Sequence, residues 1–101
     1  MDRLAYFSRA VADAPDVARA RFGYAVELQR VGRHADAVEQ YRAYLDLQND
    51  EGNAWGRLGE SLTALGDRDG AADAYLTGIE QALAHGHQSM ADELQAALED
   101  L

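Results

Sequence analysis

The chain repeats itself. Shifted by 34 residues, Val31-Gly32-Arg33-His34-Ala35-Asp36-Ala37-Val38-Glu39-Gln40-Tyr41 falls on Leu65-Gly66-Asp67-Arg68-Asp69-Gly70-Ala71-Ala72-Asp73-Ala74-Tyr75. Each stretch reads apolar residue, Gly, four polar or small residues, Ala, a small or branched apolar residue, two more, then Tyr. Ala20 also falls on Ala54 and Leu28 on Leu62, while Tyr24 meets Leu58, Ala25 meets Gly59 and Leu45 meets Ile79. The matches lie where packing needs a side chain of particular size. A unit this short buries its apolar side only against a neighbouring copy, so the period restricts the chain to stacked repeats.

The hydropathy pattern makes those repeats helical. Tyr24, Ala25, Leu28 and Val31 follow the i, i+1, i+4, i+7 spacing of one helix face, and so do Val38, Tyr41 and Leu45, and Ala72, Tyr75 and Ile79. Gly32 and Gly66 stand where a helix ends in a left-handed residue, which Gly adopts at least cost. Asp67 and Asp69 are candidate N-caps. Ser89 with Asp92 has the form of a capping box. The spacing predicts helices near 2–13, 17–31, 35–48, 52–65, 69–84 and 89–100, hence an all-α protein. Ala25 opposite Ala37, and Gly59 opposite Ala71, would let antiparallel helices approach closely. Tyr44 interrupts that rule, and Gly56 and Gly59 are expected to make room for it.

A 34-residue helix–turn–helix period resembles the tetratricopeptide repeat family, most clearly in Trp55-x-x-Leu58-Gly59-x-x-Leu62, Gly66, Ala71 and Tyr75. The copy at 18–51 is weaker, with Arg21 in place of Trp and Asn49 in place of Pro. The resemblance implies one domain over 1–101: a half repeat at 2–15, repeats at 18–51 and 52–85, and a capping helix at 88–101. It further implies a right-handed superhelical stack of antiparallel helix hairpins. Phe7, Tyr24, Tyr41, Trp55 and Tyr75 fall on the family's packing positions and are expected in the core.

Charge narrows the partners. The net charge is −9, and it is uneven: residues 1–50 carry seven Arg against eight acids, residues 51–101 two Arg against ten. Nucleic acid and anionic membranes both call for a positive footprint, so neither is expected as a partner. All the basic residues are Arg, and Asp outnumbers Glu, a composition of halophilic type. Ala12-Asp13-Ala14 mimics a signal-peptide cleavage site, but Asp2 and Arg9 leave no apolar stretch before it, and a cytoplasmic protein is expected.

No catalytic site, cofactor or metal is expected. The chain has no cysteine. His85-Gly86-His87 supplies two imidazoles without a third ligand at a useful spacing. The acid pairs sit at helix ends, and no GxSxG, P-loop or dinucleotide fingerprint occurs.

The function implied by the resemblance is that of an interaction module, in which the first helix of each repeat lines a concave groove for a partner's peptide or helix. Carried onto this sequence, the groove would present Arg19, Phe22, Gly23, Val26, Gln29 and Arg30, then Asn53, Gly56, Arg57, Glu60, Thr63 and Ala64. Arg19, Arg30 and Arg57 would gather on one face beside Phe22 and Val26, a surface suited to an acidic or C-terminal protein segment. Some family members grip chaperone tails with a clamp of Lys, Asn and Arg. Phe22, Val26 and Arg57 stand in clamp positions here and depart from it, so chaperone-tail binding is not expected. The alternative function is self-association: Leu4, Phe7 and Val11 lack the helix that would normally cover them, and a homodimer would bury them.

Overall fold

The computed structural model describes residues 2–101, and these are helical throughout: α1 Arg3–Asp13, α2 Ala18–Arg30, α3 His34–Leu47, α4 Asn53–Ala64, α5 Arg68–Ala84 and α6 Gln88–Glu99. No strand occurs among the described residues. Every helix end lies within one residue of its expected place. None of these helices is long and apolar enough to cross a membrane. The contacts divide the chain into two compact units, one running through Asn49 and the other Asp50–Leu101.

Backbone geometry explains the helix ends. Gly32, Gly66 and Gly86 have φ of 83°, 80° and 76°. At each, the next residue's N–H reaches back five positions: Arg33 to the Leu28 carbonyl, Asp67 to that of Leu62 and His87 to that of Ala82, at 2.8–2.9 Å. The glycine's own N–H reaches back three. These are three copies of the Schellman helix stop. Starts are capped by carboxylates: Asp2 accepts from Ala5 N–H and Asp67 from Gly70 N–H. Asp69 lies inside the first turn of α5, where its charge suits the helix dipole. Asp50 accepts from both Gly52 and Ala54 N–H at 2.9 Å, closing the start of α4. The expected capping box at α6 does not form. Its N-cap is His87, Ser89 is already helical, and Asp92 accepts instead from the Gln88 side chain.

In the first unit α1 packs on α2 and α2 on α3. The ring of Phe7 lies over the bare backbone of Gly23. Ala25, Leu28, Ala37 and Tyr41 are fully buried. Val31, expected on the same face, is 46% exposed, because the helix stops beneath it and the Gly32 turn carries it outward. Leu65 repeats this departure in the second unit for the same reason.

In the second unit α5 packs on α4 and α6 on α5. Glycines decide the fit. The Tyr75 ring covers Gly59, Leu94 of α6 fills the space beside Gly56 and Gly78, and the Met90 sulfur sits against Gly52. A β-carbon at Gly56 would meet Leu94, and one at Gly59 would meet Tyr75. Tyr44 is buried with its ring 5.1 Å from that of Phe22, and its hydroxyl accepts from Gln48.

Candidate functional site

Asn53, Gly56, Arg57 and Glu60 recur at i, i+3, i+4 and i+7, so α4 presents them as one stripe. Met90, Glu93 and Leu94 make the matching stripe on α6. Together with Gly52 they line a groove of about 290 Å³ within the second unit. Its floor exists because Gly56 has no side chain: a β-carbon there would meet Leu94 Cδ2 at 2.7 Å. Leu94 is buried, Met90 half-buried, and Asn53, Glu60 and Glu93 are exposed along the rim. The Nε of Arg57 is buried. Three expected site residues, Asn53, Arg57 and Glu60, are therefore brought together.

The expected residues of the first unit have different contacts along α2. Phe22 faces α3, its ring 6.0 Å from that of Tyr41, and Gln29 Oε1 accepts the Tyr41 hydroxyl at 2.6 Å. Val26, one turn beyond Phe22, is half-buried. Phe22 and Gln29 thus serve the packing of α2 on α3. Arg30 is tied to Glu27, a residue only 3% exposed whose carboxylate also holds Arg3. The Nε atoms of Arg30 and Arg3 lie 2.8 and 2.9 Å from its two oxygens. A buried carboxylate needs this pairing, so Arg30 balances a charge inside its own unit. Arg19 lies elsewhere, on the rim of a hollow of about 380 Å³ formed with Tyr6, Phe7, Ala10, Ala14, Val17 and Ala20 of α1 and its junction with α2. Arg30 is thus paired within its own unit, while Arg19 stays exposed on the rim of the hollow.

Sequence reasoning missed two parts of this arrangement. Glu93 looked like one more solvated acid, and only the α6 packing brings it opposite Glu60. Glu27 is the other, the buried partner of Arg30 and Arg3. Its place three residues before Arg30 was the available signal, but its burial depends on α1.

The histidine turn is an electrostatic contact. His87 Nε2 lies 2.6 Å from Glu51 Oε1, and the His85 and His87 rings stack 6.4 Å apart. The hydrogen bond from His87 holds the Glu51 carboxyl below its ordinary range, outweighing partial desolvation, with smaller help from the charges of His85 and His87. Among the described residues no three His, Asp or Glu side chains are grouped to hold a metal ion.

The sequence matches no protein-family model. It matches no curated protein either. Among solved structures it is similar to the solution structure of a protein from Bordetella parapertussis, with a TM-score of 0.84 and 28% sequence identity over 99% of this chain and 87% of that one.

Proposed function

We propose that the chain is a tetratricopeptide-type repeat protein that acts as a protein–protein interaction module, with the α4/α6 groove receiving a segment of its partner. The observation that carries this reading is the groove itself. It is an open trough with an apolar floor of Met90 and Leu94 and a polar rim of Asn53, Glu60 and Glu93. Such a mixed lining suits a peptide, whose side chains need apolar contact and whose backbone needs hydrogen bonds. The repeat assignment is supported by the matched Gly32 and Gly66 stops and by small residues where each hairpin closes, Ala25 and Ala37 in one and Gly59 and Ala71 in the other. A right-handed superhelical stack, a scaffold role and a non-enzymatic, cytoplasmic protein belong to the same proposal.

The test is a selection of displayed random peptides against the immobilised protein, repeated on the variant Asn53→Ala/Met90→Ala. Enriched peptides that no longer bind the variant, with its melting temperature preserved, support the reading. No enrichment, or peptides indifferent to the variant, contradicts it.

Self-association is the second reading, and the hollow on α1 favours it: Tyr6 is 58% exposed beside Phe7, Ala10, Ala14 and Val17, with Arg19 at the rim. Phe7 is a poor probe, since its ring seats α1 on Gly23. Tyr6→Asp is the cleaner one. Light scattering should find a dimer that this substitution dissociates; a wild-type monomer at high concentration would end this reading.

A further inference from the structure

We infer that the partner segment of the α4/α6 groove is cationic, a lysine- or arginine-bearing stretch, an inference that rests on the proposed use of the groove. The charged side chains that line it are Glu60, Glu93 and Arg57, two negative charges to one positive. One incoming positive charge balances the lining, and a carboxylate would add to the excess. Glu60 and Glu93 are the exposed pair, one on each helix, so they meet an incoming group first. Between them, Met90 and Leu94 offer an apolar wall for the alkyl stem of the same residue. Long basic side chains bind in this way, with stem on apolar surface and charge at a wet rim. Around the groove, residues 51–101 carry two Arg against ten acids, so the long-range field also draws cations toward this half of the chain. Of the arginines that pointed toward an acidic partner, Arg30 is already held by Glu27.

The probes are two labelled oligopeptides of equal length, one alternating leucine with lysine and one alternating leucine with glutamate, followed by fluorescence anisotropy at low and physiological salt. The lysine peptide should bind and the glutamate peptide should not. Glu60→Gln/Glu93→Gln should weaken the lysine peptide about tenfold, the size that two surface ion pairs together reach. The control Asp73→Asn/Glu80→Gln removes the same charge from exposed positions of α5 and should change binding less than about twofold. Equal losses in the two variants would mean diffuse attraction to an acidic protein and overturn the inference. Tighter binding of the glutamate peptide, lost on Asn53→Ala/Met90→Ala, would overturn the charge assignment and leave the groove reading standing. Failure of both peptides to bind would overturn both.

Discussion

The ring of Tyr75 occupies the space that a side chain at Gly59 would need: a β-carbon built on Gly59 lies 2.6 Å from Tyr75 Cε1. Tyr75 is buried and has little freedom to withdraw. Helix propensity alone favours Ala over Gly by about 1 kcal/mol. Overpacking a close contact costs about 1–3 kcal/mol. Gly59→Ala is therefore expected to lower stability by about 1 kcal/mol in chemical denaturation, against the propensity trend.

Gly32 and Gly66 separate backbone strain from crowding. A β-carbon at either meets nothing within 4 Å, yet both have positive φ. Gly32→Ala and Gly66→Ala should each destabilise by about 1 kcal/mol, the cost of a left-handed L-residue. The two losses should agree, because the two turns share one geometry. A loss at one turn and none at the other, in urea unfolding, would contradict the equivalence of the hairpins.

These turns also show what was legible in the sequence. Helix limits came through because glycines and aspartates at the ends act locally, by φ and by capping, and need no tertiary partner. Val31 leaves its expected face because the helix stops beneath it, and the burial of Glu27 depends on α1, which is distant in sequence. The groove was half legible for the same reason. Asn53, Arg57 and Glu60 share a helix and can be read from spacing. Met90, Glu93 and Leu94 join them only through the bed that Gly52, Gly56 and Gly78 make for α6.

The Arg3–Glu27–Arg30 cluster is expected to be asymmetric under mutation. Glu27 is buried, while the Arg3 and Arg30 side chains are 77% and 64% exposed. Arg3→Ala or Arg30→Ala alone leaves Glu27 with one partner and should cost about 1 kcal/mol or less. Replacing both strands a buried carboxylate and should cost about 3 kcal/mol or more. Thermal unfolding of the two single variants and the double variant checks this, and simple additivity of the two single losses would refute it.

The Glu51–His87 contact makes a pH prediction. Glu51 has a lowered pKa in the folded chain, so its contribution to stability is present above the ordinary carboxylate pKa of 4.5 and is lost as pH falls through the lower, folded value. In an NMR titration the Glu51 carboxyl should turn over below 4.5, and His87→Ala should move it back toward 4.5. An unchanged midpoint in the variant would remove His87 as the cause.

The most direct test of the account is to locate a bound peptide. Isotope-labelled protein titrated with the leucine–lysine peptide should show amide shifts concentrated on Asn53, Arg57, Glu60, Met90 and Glu93, saturating together as one site. Shifts scattered over every acidic surface, or gathered on Tyr6, Ala14 and Val17 of the α1 hollow, would contradict it.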